Sequence, residues 1–382
     1  MDIDVLFLGA GASTPFGIPT MKGMVSEFEG TLEPGPSKQL YDLITDKLAN
    51  YKYFDLESLI TVLQDIVEPS RVVGDILNDP SIHFYVDSVS VGWDQACQWV
   101  DHLAESNRGV AGSLLTQLKE YLRRTCSVEL REDELLLYNR LLDTILSGRV
   151  PNFMEHLQER GPKNVQLSVF TTNYDLILES YCTDRELTYS NGERDKYVMI
   201  RSDEGGQLLG FPGGDTIRIR KLHGSINWYR DQKGRLRYSD TPVTVGKKSV
   251  YGDEIVEEVL LYPVRGLYAY REPFYDLFCD LKRALEIAKN CLVIGYSFRD
   301  KDIAGLFIDA AKKNHHLTLC LAGLGDDTMR TVVHEHLAGF NGRLTGTSAK
   351  FNHENIDELI GFLQNPADSE VVTKSLYRIT KG

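Results

Sequence analysis

The sequence predicts an α/β protein: a Rossmann-like parallel sheet with helices on both faces, carrying a large helical insertion domain. Three observations predict it. Short apolar runs without alternation recur, as at Val5-Leu6-Phe7-Leu8, Cys291-Leu292-Val293-Ile294 and Leu317 to Leu321; such runs suit strands buried on both faces. Segments of helical period lie between them, the order expected of a parallel sheet with crossover helices. Residues 36–159 hold helical patterns alone, which marks an insertion.

Each element follows in order. Residues 3–8 read as a buried strand running into Gly9-Ala10-Gly11-Ala12-Ser13. A helix is expected from about Thr20, with Met21, Met24, Val25 and Phe28 on one face and Gly30 as its stop. Glu33-Pro34-Gly35-Pro36-Ser37 breaks the chain. Helical faces then come from Leu40, Leu43, Ile44 and Leu48, from Leu56, Leu59, Ile60 and Leu63, and from Leu114, Leu115, Leu118, Tyr121 and Leu122. The longest joins Leu135, Tyr138, Leu141, Leu142, Ile145 and Leu146, ended by Gly148. Residues 67–93 are less regular, with Pro69 and Pro80 as breakers.

The α/β pattern resumes with a strand over 165–170 and a helix near Tyr174. Residues 183–214 read as loops with short strands, and 216–222 as a strand reaching His223. Trp228 to Tyr238 reads as a hairpin turning at Gln232-Lys233-Gly234. A helix over 274–289, a strand over 291–295, a helix over 303–312 and a strand over 317–321 complete the pattern. The predicted division is 1–35 with 160–325 as the sheet domain, 36–159 as the insertion and 326–382 as a C-terminal segment available for oligomer contacts.

Composition narrows the function classes. A formal net charge of −13 disfavours non-specific binding to nucleic acid or anionic lipid. No apolar run is long enough to span a membrane. Met1-Asp2-Ile3-Asp4 has neither the basic region nor the apolar stretch of a signal peptide, so a cytoplasmic location is expected. The 6 cysteines form no C-x-x-C, and no histidine has a ligand partner at a suitable spacing, so no zinc or other metal site is expected.

Four motifs follow apolar strands, where parallel sheets place their ligands. Gly9-Ala10-Gly11 suits a diphosphate held by backbone amides at a helix N-terminus, although Thr14 stands where the nucleotide fingerprint has its third glycine. Asn173 and Asp175 read either as a helix cap or as an amide and a carboxylate facing a sugar hydroxyl and a carboxamide. His223, in Leu-His-Gly, is a candidate base. Gly295-Tyr296-Ser297-Phe298 offers a hydroxyl and backbone amides to a ribose or phosphate, with Asp300 and Asp302 as helix-start residues.

In their order, Gly-Ala-Gly-Ala-Ser with Gly-Ile-Pro, then Thr-x-Asn-x-Asp, then His-Gly, then Gly-x-Ser, the chain resembles the sirtuins over about 1–20 and 160–325. The resemblance implies NAD as substrate. Gly9, Ala10, Gly11, Ala12, Ser13 and Thr172 would line it, and Gly295 and Ser297 would hold the adenosine ribose or phosphate. Asn173 would orient the nicotinamide ribose, Asp175 would hold the carboxamide and His223 would be the base. Departures shape the expectation further. Deacetylases continue Gly-Ile-Pro as Asp-Phe-Arg, where this chain has Thr20-Met21-Lys22, and they carry a four-cysteine zinc module that this chain lacks.

Leu222-His223-Gly224-Ser225-Ile226-Asn227-Trp228 and Gly295 to Asp302 are similar to the sirtuin-like domains of bacterial antiphage defence systems, which hydrolyse NAD. That resemblance implies an NAD glycohydrolase yielding nicotinamide and ADP-ribose, a homo-oligomer, and a partner hexameric ATPase of the HerA type. The competing expectations are an NAD-dependent protein deacylase and a non-catalytic module that senses NAD or ADP-ribose.

Overall fold

A computed structural model describes residues 2–48, 54–68, 84–86, 89–91, 93–128, 130, 132–149, 167–185, 187, 189–190, 217–262 and 273–364. The chain divides into two compact units: Met1–Ile18, Ser127–Leu260 and Ala269–Gly382 form one, and Pro19–Cys126 with Leu261–Tyr268 the other.

The second unit is mainly helical among its described residues. It holds α1 (Met21–Glu29), α2 (Pro36–Leu48), α3 (Leu56–Val67), the hairpin strands β2 (Phe84–Val86) and β3 (Val89–Val91), and α4 (Trp93–Cys126). The Thr20 hydroxyl caps α1 by accepting from the Gly23 amide at 3.3 Å. Asp55 caps α3 through the Ser58 amide at 3.0 Å. Helix α3 is the core: Leu56, Leu59, Ile60, Val62, Leu63 and Ile66 are all buried, and it packs on α1 and α4. Leu43, expected on the buried face of α2, is 43% exposed; Tyr41 takes the inward place and donates its hydroxyl to the Val25 carbonyl.

The first unit carries the parallel sheet. Its strands are β1 (Val5–Leu8), β4 (Leu167–Thr171), β5 (Tyr189–Ser190), β6 (Ile217–Lys221), β10 (Asn290–Ile294), β11 (Thr318–Ala322) and β12 (Arg343–Gly346). They lie in the order β12-β11-β10-β1-β4-β6-β5, and every pairing is parallel. All residues of β1 are buried, and successive side chains of a strand point to opposite faces, so both faces are covered. Helices α5 (Glu132–Arg149), α6 (Ile177–Asp184), α7 (Phe274–Ile287), α8 (Lys301–Lys313), α9 (Asp326–Thr331) and α10 (Ile356–Gln364) belong to this unit. Helix α7 packs on α8, and α5 on both α6 and α10. A smaller antiparallel sheet joins β7 (Gly224–Arg230) to β8 (Leu236–Tyr238) and β9 (Glu257–Leu260).

Three features differ from the sequence reading. Helix α5, assigned by its position to the insertion, belongs to the sheet unit: Tyr138 stacks on Phe16 at 5.2 Å and meets Phe351 edge-on at 5.3 Å. The compact units part after Ile18 and Cys126, not after residues 35 and 159. The region after 325 also joins the sheet unit, because β12 extends the sheet beside β11 and α10 buries Ile356, Leu359, Phe362 and Leu363. The expected loops over 191–214 and the tail beyond 364 lie outside the described residues.

Candidate functional site

The central strands end level with one another. Leu8 is in register with Thr171 on one side and Ile294 on the other; Thr171 pairs with Lys221, and Ile294 with Ala322. The loops carrying Gly9, Thr172, Leu222 and Gly295 therefore all leave one edge of the sheet. Strand order runs outward from β1 through β4 and β6 on one side, and outward through β10, β11 and β12 on the other. The reversal lies between β1 and β10, the switch point at which open α/β sheets bind ligands.

The glycines of the first loop have a packing reason. The Gly9 amide donates to the Ile294 carbonyl and the Gly11 amide to the Gly295 carbonyl, both at 2.9 Å. A Cβ on Gly11 would lie 2.8 Å from the Gly295 Cα, and one on Gly295 would lie 2.5 Å from the Gly11 carbonyl carbon. Gly295 also has φ +62°, the left-handed region that favours glycine. The two loops are thus pressed backbone to backbone.

The expected helix N-terminus is not directly behind this loop. Ala10–Ala12 and Thr14–Phe16 form short 3-10 turns, and α1 starts only at Met21. The Ala12 and Ser13 amides are used within the first turn, donating to the carbonyls of Gly9 and Ala10.

Ser13, Asn173 and Asp175 form a buried relay. The Asn173 Nδ2 donates to the Gly9 carbonyl at 2.9 Å and to Ser13 Oγ at 2.8 Å. Ser13 in turn donates to Asp175 Oδ2 at 2.6 Å. A carbonyl can only accept, so the Gly9 contact fixes which end of the Asn173 amide is nitrogen. Both amide hydrogens are then committed, and Asn173 faces any ligand as an acceptor through Oδ1. Asp175 Oδ1 accepts from the Ile177 amide at 3.1 Å, the first amide of α6, whose N-cap residue is Leu176. Binding the first helical amide and facing the site are compatible for Asp175, because an ionised carboxylate has about four lone-pair positions.

Lys221 supports this loop from behind. Its side chain is 1% exposed, and its ammonium donates to the Asp175 backbone carbonyl and to Ser225 Oγ and pairs with Glu179 Oε1 at 3.1 Å. The Ile226 amide holds the Tyr174 carbonyl at 3.1 Å, and Thr171 Oγ1 accepts from the Asn173 amide at 3.0 Å. Tyr138 lies nearby in charge terms: burial raises its phenol well above the usual range, and the Asp175 and Glu179 charges add to the shift.

His223 follows Leu222, whose amide donates to the Thr171 carbonyl at 2.8 Å. The imidazole is buried, tilted against Tyr174 at 6.4 Å, with its Nε2 3.2 Å from Asp300 Oδ2. Asp300 arrives on the β10–α8 turn. That turn contains Phe298, whose φ of +54° is rare for a bulky residue. Its ring is fully buried against Tyr296 and Phe307, which holds the conformation. Ser297, half-buried on the same turn, accepts from Arg299 Nε at 3.0 Å. Asp302 is raised above the usual carboxylate range by burial and by the charge of Asp300.

All the candidate residues named from the sequence thus lie at one sheet edge. The structure joins Gly9, Ser13, Asn173 and Asp175 directly and packs Gly11 against Gly295. Ala10, Ala12 and Thr172 sit in the same loops, with Thr172 donating its amide to the Leu8 carbonyl at 3.2 Å. Ser297 has no bond to the relay among the described contacts. Sequence reasoning missed Lys221, because a charged residue at a strand end reads as solvated. It took Asp300 as a helix cap, which it is, but its second oxygen reaches a residue far away in sequence. Among the described residues no group of three or more His, Cys, Asp or Glu is placed to hold a metal ion.

Residues 167–323 match a family model described as a SIR2-like domain. Solved structures of similar fold include a Sir2 homologue–NAD complex, at 13% identity, covering 95% of this chain and 89% of that one, with a TM-score of 0.43. A mutant Sir2 homologue in complex with ADP-ribose gives 12%, 95% and 92%, with a TM-score of 0.42. A Sir2 complex with deacetylated p53 peptide and 3′-O-acetyl ADP-ribose gives 14%, 95% and 93%, with a TM-score of 0.37. No curated protein matches the chain.

Proposed function

We propose that this chain binds NAD at the β1–β10 switch point and breaks the bond between nicotinamide and ribose. The observation that carries the reading is the convergence of the Ser13–Asn173–Asp175 relay and His223 on the edge where such sheets bind ligands. Nicotinamide leaves as a neutral ring from a cationic one, so the leaving group needs no general acid. What the site must supply is orientation of the sugar, stabilisation of an oxocarbenium-like centre, and a base for the attacking oxygen. Asn173 Oδ1 would accept from a ribose hydroxyl or an attacking water. Asp175, with acceptor positions left over, would take a carboxamide N–H. His223 would remove the proton from the incoming hydroxyl. Gly9 to Ser13, Thr172, Gly295 and Ser297 would line the remainder of the substrate.

Two acceptors are open to the ribosyl centre. With an acyl-lysine the protein is an NAD-dependent deacylase, and the match to a SIR2-like domain supports this reading first. With water it is a glycohydrolase releasing ADP-ribose; Thr20-Met21-Lys22, in place of the Asp-Phe-Arg of deacetylases, supports this one. The glycohydrolase reading carries with it NAD depletion in bacterial antiphage defence, a cytoplasmic homo-oligomer and a HerA-type ATPase partner. The deciding experiment incubates purified protein with NAD, with and without an acetylated peptide, and with and without a candidate ATPase, and separates the products by chromatography. Nicotinamide with free ADP-ribose supports hydrolysis. O-acetyl-ADP-ribose formed only with peptide supports deacylation. NAD unchanged in every arm but retained on the protein leaves a binding module instead.

A further inference from the structure

We propose that Asp300 is a positioning residue that fixes the tautomer of His223, placing the ring proton on Nε2 and presenting Nδ1 as the proton acceptor. The inference deepens the NAD-cleavage reading and rests on it for its catalytic meaning, but the tautomer itself can be measured without substrate.

The geometry is specific. His223 Nε2 and Asp300 Oδ2 are 3.2 Å apart, and both side chains are more than nine-tenths buried. A carboxylate has only acceptors, so the shared hydrogen belongs to the imidazole and sits on Nε2. In a neutral ring the other nitrogen is then the lone-pair donor, and this is the atom that can take a proton from a hydroxyl. The orientation of Asp300 is itself fixed. Its Oδ1 accepts from the Asp302 amide at 2.9 Å and the Ile303 amide at 3.2 Å, capping α8. One oxygen is therefore tied to the helix and the other is left to face His223. The carboxylate comes from a strand separated from that of His223 by both β1 and β4. The turn that carries it includes Phe298 in a left-handed conformation. A helix cap alone needs none of this.

The double duty of Asp300 gives an unusual test. Asn is as good an N-cap as Asp. In Asp300→Asn the amide oxygen must stay on the helix amides, so the NH2 is what faces Nε2. An NH2 donates, which requires a lone pair on Nε2 and moves the ring proton to Nδ1. The substitution therefore preserves the fold and inverts the tautomer. Asp300→Ala removes the cap but leaves the ring free to take either form.

The experiment records two-dimensional 15N–1H spectra of protein labelled in its histidine rings, with His223→Ala assigning the signals, and follows NAD consumption by the same variants. The expected result is the Nε2–H form in the wild type and the Nδ1–H form in Asp300→Asn. Asp300→Asn should lose about 10²–10⁴-fold in kcat with little change in KM, the range for losing a general base. Asp300→Ala, though less stable, should retain more kcat than Asp300→Asn. A purely structural cap predicts the opposite order, with Asn close to wild type, and that order overturns the proposal. So does a wild-type ring carrying its proton on Nδ1. If the tautomers are as stated but wild-type protein consumes no NAD, the tautomer assignment stands and the NAD-cleavage reading falls.

Discussion

Substituting Gly295 by alanine tests whether the first and fourth loops are as tightly pressed together as the structure has them. Two costs act at once. With φ at +62°, an alanine pays roughly 1–2 kcal/mol for the left-handed conformation. Its Cβ would also stand 2.5 Å from the Gly11 carbonyl carbon and 2.6 Å from the Ala12 nitrogen, both backbone atoms with no rotamer to yield. Restoring ordinary contact would part the loops by about 0.9 Å, an overpacking cost of about 1–3 kcal/mol. The sum is about 2–5 kcal/mol, a large share of the 5–15 kcal/mol that is typical of a domain. At about 2–4 °C per kcal/mol for a unit of this size, the melting temperature should fall by about 4–20 °C. The internal control is Gly305→Ala. Gly305 lies within α8, and a Cβ there meets nothing within 4 Å. This change should stabilise by about 0.5–1 kcal/mol through helix propensity. Thermal melts of the two variants beside wild type should move in opposite directions. A Gly295→Ala protein that melts with wild type would refute the close approach of the two loops.

Further outcomes follow from the same contacts. His223→Ala and Asn173→Ala should each cut NAD loss by about 10²–10⁴-fold while the far-UV spectrum stays that of the folded wild type; unchanged turnover by a folded His223→Ala protein would remove His223 from the mechanism. Lys221→Met should destabilise by about 3–5 kcal/mol by stranding Glu179, and adding Glu179→Leu should recover part of that loss in a urea-denaturation double-mutant cycle. Strict additivity of the two changes would show that the pair is not coupled. Asp231 should make stability fall in acid. Burial alone would raise its carboxyl, but the guanidinium of Arg235, the amides of Arg235 and Lys233 and the guanidinium of Arg237 outweigh it and hold the group well below the usual range. A carboxyl depressed in the folded state contributes stability above its unfolded value, roughly pH 3.9. That contribution is lost as pH falls further toward the folded value. Denaturation midpoints of wild type should therefore drop more steeply below about pH 4 than those of Asp231→Asn; parallel curves would show that Asp231 does not organise the hairpin turn.

Much of the sheet was legible because β1, β10 and β11 are short, mainly apolar and bounded by turn residues. Val5 to Leu8 and Asn290 to Ile294 lie within a residue or two of their expected bounds. Strand β12 was not legible. Arg-Leu-Thr-Gly has no apolar run, and only half of it is buried, so nothing separates it from a loop until β11 lies beside it. Helix α5 was recognised as a helix but given the wrong neighbours, since periodicity shows which face is buried and not what buries it. Tyr138 meets Phe16 and Phe351, which are remote in sequence. The placement of the candidate residues was legible where it depends on position after a strand, as for Asn173, Asp175 and His223, which all leave one edge of the sheet. It was illegible where a residue's local explanation is already sufficient. Asp300 is satisfied as a cap and Lys221 as a surface charge until the partner loops are in place.

The place of β1 in the sheet has a consequence for how the protein is made. Val5 pairs with Ser168 on one side and with Cys291 on the other. At about 5–20 residues per second, β10 leaves the ribosome roughly 15–60 s after β1. During that interval the apolar strand Val5-Leu6-Phe7-Leu8 has no partner along one edge, while helices α1 to α4, contiguous in the chain, are already synthesised. The centre of the sheet is therefore joined only after β4, β5 and β6 have been made. The Gly11–Gly295 seam, where NAD is proposed to lie, comes into being only once β10 and the turn after it exist. A nascent chain halted before β10 has no such crevice, and whatever activity the site has is withheld until β10 and the turn after it have emerged.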